Sequence, residues 1–372
     1  MQRRLRYVLG FIFAFVAAVS FAACGTQPTG DRPQASVEMD LPFTQPVVAN
    51  GAGASFPAPL YQLWFRNLNN KERRLQFNYQ SVGSGAGIER FTQRVVDFGA
   101  SDIAMTDEQL AAAGRDVLML PMTAGSIVIP YNLPGVDNLQ LSREAYSNIF
   151  MGKITRWNDP KIVATNPGVN LPDQPINVMH RSDGSGTTAV FTQHLSAINP
   201  EWKQTIGSGT TVEWPTGTGS FVGGRGNEGV TALVTQTPNS IGYVEFNFAK
   251  TNNLSVAALE NKAGKFVKPT PESGMATLEQ VELPENLRAF ITDPPGDGSY
   301  PLVTYTWMLL NQKYDDPNKA IAMEAMVQYC LTDGQKESPN LGFIKLPASV
   351  IQRVAKAADS ITPDFTISIP SA

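Results

Sequence analysis

The sequence predicts an α/β protein with two lobes, a cleft between them and mostly parallel sheets. Three observations favour this fold class. Short apolar, strand-like runs alternate with helix-length amphipathic runs along most of the chain. Turns rich in glycine and serine repeatedly follow a strand and precede a helix. The chain has 372 residues, which is enough for two units of ordinary size.

The individual elements follow from these patterns in order. Strands are predicted at 47–49, 75–80, 95–100, 117–120, 126–131, 175–179, 240–246, 255–259 and 302–310. Helices are predicted at 57–69, from the turn 81–87 to about 95, from 106, at 142–151, from 159, at 185–195 and 227–235, within 271–291, and at 318–331 and 349–358. The glycine-rich segment 207–226 is predicted to be a long surface loop.

Two of the predicted strands are candidates for crossing between the lobes. They are Ser126–Tyr131 and Leu302–Leu310. Lobe I is therefore expected to comprise 47–126 and 305–372, and lobe II to comprise 127–304.

Composition places the chain among globular proteins. The hydrophobic fraction is 42% and the charged fraction is 17%, which is typical of a protein with a packed core. The formal net charge of −4 does not favour a nucleic-acid partner. The only cysteines are Cys24 and Cys330, and Cys330 lies in an apolar helical pattern, so we expect it to be buried.

The first 23 residues are typical of a secretory signal peptide. Three arginines within the first six residues precede an uncharged apolar run, Tyr7–Ala23. An uncleaved membrane anchor is the alternative, because a run of this length could just cross a bilayer. The ending Ala22-Ala23-Cys24-Gly25 resembles the lipobox of bacterial lipoproteins, which implies that Cys24 is lipidated. We therefore expect an exported protein, anchored by lipid in a periplasm or on a cell surface.

A flexible tether is predicted at 24–46. This segment is rich in proline, glycine, glutamine, threonine and serine and shows no sustained period.

Three consecutive strand-to-helix joins carry hydroxyl or acidic side chains. They contain Ser55, Ser84 and the pair Ser101-Asp102. Ser55 also suits the position that caps the following helix. The glycine-rich turn at 83–87 matches neither the dinucleotide fingerprint nor the P-loop. Because ligands of open α/β sheets bind at the carboxyl ends of strands, we expect these joins to converge on one cleft.

A fourth join, with the sequence HRSDGSGTT at 180–188, is the centre of the prediction. Ser185 and Thr187 are residue types that cap helices, and the free N–H groups of a helix N-terminus bind anions. Arg181 adds a planar charged fork that suits phosphate or carboxylate oxygens. We expect this stretch to form half of an oxyanion site. An ordinary capped helix with a surface arginine is the alternative.

Eight segments together resemble the phosphate-binding proteins of bacterial high-affinity phosphate ABC importers. They are GAGASFPAP at 51–59, GSG at 83–85, DFGASD at 97–102, GKITRWN at 152–158, RSDGSGT at 181–187, EW at 201–202, VEWP at 212–215 and IGYVE at 241–245. The likeness extends from about residue 48 to residue 358. It implies a fold of the periplasmic-binding-protein type, class II-like, with a hinge of two crossing strands.

The resemblance also implies a function and a ligand set. The protein would capture inorganic phosphate between its lobes and deliver it to the membrane permease subunits of an importer. Carried over by position, the phosphate ligands would be Ser55, Phe56 through its backbone, Ser84, Asp102, Arg181, Ser185, Gly186 and Thr187. Asp183 would hold the Arg181 guanidinium. We expect a monomer that needs no metal and no other cofactor.

Asp102 would make the site selective. Phosphate near neutral pH keeps a proton that a carboxylate can accept, whereas sulfate is fully ionised and would face an unpaired negative charge. A buried charged group without a partner is strongly disfavoured.

Three alternatives remain at this point. An enzyme is disfavoured because the two histidines, His180 and His194, show no metal-type spacing, and His194 is too far along its helix to activate Ser185. We expect His194 to be a capping or surface residue. The protein could instead bind another oxyanion such as sulfate or molybdate, or serve as a phosphate sensor or structural lipoprotein without a role in transport.

Overall fold

The computed structural model describes residues 39–217 and 219–370. The predicted signal peptide, 1–23, lies outside the described residues, as do Cys24 and the tether before residue 39. None of the helices formed by the described residues is long and apolar enough to cross a bilayer.

Within the described ranges the strands are short, apart from β4 and β14. They are β1 (Val47–Gly53), β2 (Leu75–Ser81), β3 (Phe98–Ser101), β4 (Val117–Val128), β5 (Pro130–Asn132), β6 (Gln140–Leu141), β7 (Asn177–Arg181), β8 (Ser220–Gly224), β9 (Ser240–Gly242), β10 (Val244–Glu245), β11 (Ser255–Val256), β12 (Ala258–Glu260), β13 (Phe266–Val267) and β14 (Val303–Asn311).

The helices alternate with these strands, as the sequence pattern predicts. They are α1 (Ala58–Lys71), α2 (Ser84–Thr92), α3 (Asp107–Ala113), α4 (Arg143–Phe150), α5 (Pro160–Val163), α6 (Gly186–Ile198), α7 (Pro200–Thr205), α8 (Gly226–Gln236), α9 (Phe246–Thr251), α10 (Pro271–Leu278), α11 (Pro317–Leu331), α12 (Asp333–Glu337) and α13 (Ala348–Ala358), with a 3-10 turn at Ser338–Leu341.

Two larger sheets and one small sheet form the framework. The six-stranded sheet has the order β10-β4-β14-β3-β1-β2, the five-stranded sheet β11-β5-β9-β7-β8, and the small sheet β13-β12-β6. Strands β3, β1 and β2 are parallel neighbours, and so are β9, β7 and β8. The carboxyl ends of each parallel trio therefore lie at one edge of their sheet.

The sheets are mixed, so the prediction of mostly parallel sheets is wrong. Strand β14 lies between β3 and β4 and runs antiparallel to both. It follows the irregular segment 279–302, whereas parallel neighbours are usually joined by a crossover helix. Strands β10, β11 and β13 add further antiparallel pairs at the sheet edges.

Within the described residues the chain passes directly between the two larger sheets three times: from β4 to β5, from β9 to β10, and from β10 through α9 to β11. The first two of these passages lie next to each other. The passage from β4 to β5 is the one expected for Ser126–Tyr131, and the passage from β9 to β10 is at Tyr243. Strand β10 pairs with the last two residues of β4. The other predicted crossing, Leu302–Leu310, corresponds to β14, which lies wholly in the six-stranded sheet. A strand that is buried in one sheet and a strand that crosses between sheets share the same apolar pattern, so periodicity cannot separate them. The predicted lobe boundaries stay predictions.

Three predicted elements differ for local reasons. The separate strands 117–120 and 126–131 are largely one long strand, β4, because the register shift between Thr306 and Trp307 of β14 accommodates Pro121. The predicted loop 207–226 contains β8, whose glycine-rich sequence hides a strand that pairs with β7. The predicted strand 240–246 is divided between two sheets, as β9 and β10.

The buried residues include the cysteine and tryptophans of the core and two residues of the predicted tether. Cys330 is buried as predicted, and Trp64, Trp157, Trp202 and Trp307 are fully buried side chains. The end of the predicted tether is not free, because Leu41 and Phe43 are buried and Arg74 donates hydrogen bonds to both of their carbonyl groups. Two apolar residues among polar ones were a weak signal for this docking.

Candidate functional site

The first three strand-to-helix joins supply three buried polar side chains. Ser55, Ser84 and Asp102 follow the adjacent parallel strands β1, β2 and β3, and all three are buried. The Asp102 N–H donates to Ser84 Oγ at 3.2 Å, and Ser84 Oγ lies 3.5 Å from Asp102 Oδ2. Parallel strands that end at one edge thus bring Ser84 and Asp102 together.

The fourth join comes from the other large sheet. Strand β7 ends at Arg181, and α6 begins at Gly186 after a turn of four residues. Ser185 caps α6, since its Oγ accepts the Thr188 N–H at 3.0 Å. Thr187 lies inside the first turn, where its hydroxyl faces Arg181 Nη1 at 3.4 Å. The cap therefore comes from Ser185, while Thr187 remains available for other contacts.

The joins of the six-stranded sheet and the join of the five-stranded sheet form the two sides of the candidate site, and these two sides meet at Gly186. A Cβ atom at this position would lie 2.4 Å from Ser84 Oγ and 2.9 Å from Asp102 Oδ2. Nearby, the Gly85 N–H donates to the Gly184 carbonyl at 3.0 Å. The N-terminus of α6 thus packs directly against the edge of the six-stranded sheet, and only glycine allows this approach.

Arg181 is held in the site, and its side chain is only 1% exposed. Its Nε and Nη2 donate to the two carboxylate oxygens of Asp183 at 2.7 and 2.6 Å. This bidentate pair fixes the plane of the guanidinium. The alternative of a surface arginine is wrong, because the Arg181 side chain is buried at the join between β7 and α6.

Asp183 has a third partner in the Gly226 N–H, which donates to Oδ1 at 3.0 Å. Burial alone would raise the pKa of Asp183, but the hydrogen bonds and charge of Arg181, together with the Gly226 N–H, lower it below its usual value. Asp183 is therefore a stable anion that can orient Arg181.

Asp102 has the opposite character. Burial raises its pKa to about 7, and the hydrogen bond from Thr306 and the charge of Arg181 offset this effect only in part. Thr306 Oγ1 donates to Asp102 Oδ1 at 2.9 Å. The second oxygen, Oδ2, faces Ser84 and Gly186. Asp102 can thus accept a proton near neutral pH while one of its oxygens is held by the protein.

The other predicted ligands lie around this centre. Phe56 is fully buried, and its ring packs against Phe343 with ring centroids 6.1 Å apart. Ser55 does not cap α1, because the cap position is Pro57, and Ser55 Oγ instead accepts two hydrogen bonds from Asn227.

Sequence reasoning missed three residues that support the site. They are Thr306, Asn227 and Tyr243. The Tyr243 hydroxyl lies 3.1 Å from the Arg181 N–H and 2.7 Å from Thr188 Oγ1. Tyr243 lies in the segment 241–245, which is one of the segments that carry the family resemblance. Nothing in the local sequence distinguishes Thr306 or Asn227.

Neither histidine is placed to activate a serine. His194 is buried, contrary to our expectation of a capping or surface residue, and its Nε2 lies 2.7 Å from the Tyr146 hydroxyl. Burial lowers the pKa of His194 to about 4, so it is neutral. His180 Nδ1 lies 2.9 Å from the Arg181 carbonyl.

Among the described residues, no three side chains of His, Cys, Asp or Glu are grouped so that they could hold a metal ion.

The geometry suits a protonated oxyanion. Hydroxyl groups, a helix N-terminus and one arginine supply donors and positive charge, and a single carboxyl group supplies a proton acceptor. Beside this centre lies a cavity of about 230 Å³, lined by Ser81, Val82, Gly83, Asp183, Arg225, Gly226 and Glu228.

Comparison with known proteins identifies the family. Residues 42–333 match the model of the PBP superfamily domain. The chain is 42% identical to the phosphate-binding protein PstS of Pasteurella multocida, over 84% of this chain and 90% of that protein, and 41% identical to PstS of Haemophilus influenzae, over 84% and 93%.

A solved structure shares the fold. The phosphate-binding protein from Stenotrophomonas maltophilia superimposes with a TM-score of 0.64 at 21% identity, over 83% of this chain and 93% of that chain. The two-lobed α/β fold expected from the sequence is therefore confirmed. This chain belongs to the PBP superfamily and, within it, to the family of the PstS phosphate-binding proteins.

Proposed function

We propose that this protein binds inorganic phosphate between its two large sheets and delivers it to a membrane ABC importer. The proposed ligands are Ser55, the backbone of Phe56, Ser84, Asp102, Arg181, Ser185, Gly186 and Thr187. Membership of the PstS family supports this function, because the relatives that carry the name are phosphate-binding proteins.

One observation carries the choice of ligand. Asp102 is buried opposite Arg181 with a pKa of about 7, so the site combines a proton acceptor with a fixed positive charge. A monoprotonated phosphate offers both a proton for Asp102 and negative oxygens for the donors. Sulfate offers only the oxygens, and its charge opposes an ionised Asp102.

Equilibrium dialysis with labelled phosphate tests this proposal. The protein is first stripped of anion by mild unfolding and refolding. We expect saturable binding of one phosphate per chain, which a large excess of sulfate does not displace. Binding that sulfate displaces efficiently would identify the protein as a receptor for another oxyanion.

The proposal includes a role in transport and no catalytic reaction. We infer that the permease subunits of the importer are the partner, that the protein acts as an exported monomer, and that lipidated Cys24 is its anchor. Cells that lack this protein should lose high-affinity phosphate uptake and regain it with the wild-type gene. With Cys24→Ser, the protein should be released from the membrane fraction. Unchanged uptake in the deletion strain would favour a sensing role.

A further inference from the structure

Asn227 lies between the two sides of the proposed site. It is the second residue of α8 and is fully buried. Its backbone N–H and its side-chain Nδ2 both donate to Ser55 Oγ, at 3.1 and 2.9 Å. Nδ2 also lies 3.4 Å from Thr187 Oγ1. One amide group therefore connects a hydroxyl that follows β1 with a hydroxyl at the start of α6.

The orientation of this amide is set by a third contact. Asn227 Oδ1 accepts the backbone N–H of Glu245 at 3.0 Å. If the amide were turned over, the Glu245 N–H would face an NH₂ group, which carries no free acceptor. The two hydrogens of Nδ2 must therefore point toward Ser55 and Thr187.

These contacts determine the polarity of both hydroxyl groups. A serine or threonine hydroxyl has two acceptor lone pairs and a single hydrogen. Ser55 Oγ is the acceptor in both of its hydrogen bonds with Asn227. Thr187 Oγ1 likewise accepts from Asn227 Nδ2 and from Arg181 Nη1, each at 3.4 Å. With its lone pairs directed at these donors, each hydroxyl is left with a hydrogen to donate. That of Thr187 is directed at Asp102, where its hydrogen bond lowers the pKa of the carboxyl group, so Thr187 already acts as a donor.

We propose that Asn227 is a positioning residue that keeps the hydroxyl groups of Ser55 and Thr187 as donors toward the bound oxyanion. This inference rests on the proposed function. Asn227 acts through the two hydroxyl groups. Loss of its side chain removes the Nδ2 donor from both and leaves Ser55 Oγ with only the backbone N–H of residue 227, so each hydroxyl gains freedom to rotate and to form other hydrogen bonds. A donor that must be reoriented contributes less to binding than one already held in place.

A double-mutant cycle tests this inference. The variants are Ser55→Ala, Asn227→Ala and the combination of both, and the measured quantity is the Kd for phosphate of the stripped protein. Each single change should weaken binding by about tenfold to a hundredfold, because it removes or disorders a hydrogen bond to a charged ligand. The double variant should bind about as weakly as Asn227→Ala alone, since Asn227→Ala already impairs the Ser55 hydroxyl, which is the part of its effect that Ser55→Ala shares. Multiplication of the two single effects would overturn the inference.

Asn166→Ala provides the matched control. Asn166 is also a buried amide whose Oδ1 accepts a backbone N–H, that of Gln140 at 2.8 Å, and whose Nδ2 donates to the carbonyls of Gln140 and Ile162. None of these partners is a proposed ligand. This variant should lose stability and keep its phosphate Kd within about twofold of wild type. An equal loss of affinity in Asn166→Ala and Asn227→Ala would overturn the inference.

Two further outcomes are distinguishable. If Asn227→Ala does not fold, Asn227→Ser takes its place in the cycle, because it keeps a small polar side chain at the buried position and also lacks the Nδ2 donor. If wild type and Asn166→Ala both fail to bind phosphate, the proposed function is wrong. If both bind and the cycle shows independent effects, the proposed function stands and only the role of Asn227 is wrong.

Discussion

At the scale of single residues, Asp102 and Asp183 show how environment separates two aspartates in one site. Asp183 accepts two hydrogen bonds from Arg181 and one from Gly226, which lower its pKa despite burial. Asp102 is more deeply buried and receives less compensation, so its pKa rises to about 7. One acid thus orients a cation, while the other can exchange a proton.

Because the pKa of Asp102 is raised in the folded protein, we predict that its ionisation lowers the free energy of unfolding as the pH rises, when no phosphate is bound. An unfolded aspartate has a pKa of about 3.9, so the folded state binds this proton more tightly. The stability that this proton provides is complete below about pH 4 and is lost as the pH rises through about 7. Asp102→Asn should therefore be more stable than wild type at pH 8, by at most about 4 kcal/mol, and should differ little at pH 4. Denaturant unfolding without phosphate measures both differences.

Asp137→Asn, at an exposed aspartate, is the control for this series. It measures what the loss of an exposed carboxylate does to stability at each pH, and the effect of the buried position is the excess seen in Asp102→Asn. If the advantage of Asp102→Asn were the same at pH 4 and pH 8, Asp102 would not be the buried proton acceptor that we infer.

The same substitution should change selectivity. An asparagine cannot accept a proton from phosphate, and it brings no negative charge against sulfate. We expect phosphate affinity to fall by about tenfold or more and sulfate affinity to rise, because a buried charged contact is lost in one case and relieved in the other. Separate Kd measurements for the two anions give the ratio. An unchanged ratio would show that selectivity does not depend on Asp102.

At the scale of secondary-structure elements, the site depends on how closely the start of α6 approaches the edge formed by β1, β2 and β3. Gly186 makes this approach possible, because a side chain there would overlap Ser84 and Asp102. The approach places the N-terminal N–H groups of a helix of thirteen residues beside the proposed ligand position. The position of an element, and not only its residue types, therefore determines the site.

Gly186→Ala should accordingly separate the two sides of the site. We expect phosphate binding to weaken by about tenfold to a hundredfold, because an added methyl group in a tight contact costs roughly 1–3 kcal/mol. Gly298→Ala is the control, since no atom lies within 4 Å of a Cβ placed there. Calorimetric titration of both variants gives the comparison. Equal affinities in the two variants would contradict the close packing at Gly186.

At the scale of the whole molecule, the alternation of elements and the capped strand-to-helix join at 181–187 could be predicted from local sequence. An apolar strand, an arginine, a glycine-rich turn and a serine cap are consecutive, so their geometry follows from short-range rules. Thr306 and Asn227 could not be predicted in this way. Their partners, Asp102 and Ser55, lie 204 and 172 residues away in the chain, so only the assembled sheets reveal these contacts. The antiparallel position of β14 was missed for the same reason, because it depends on where a distant strand is inserted.

The measurement that tests the central claim most directly is calorimetric titration of the stripped wild-type protein with phosphate and, separately, with sulfate at neutral pH. We predict tight one-to-one binding of phosphate and no detectable heat with sulfate, because only phosphate brings a proton for Asp102. Comparable binding of both anions would contradict the role of Asp102, and absence of phosphate binding would contradict the proposed function itself.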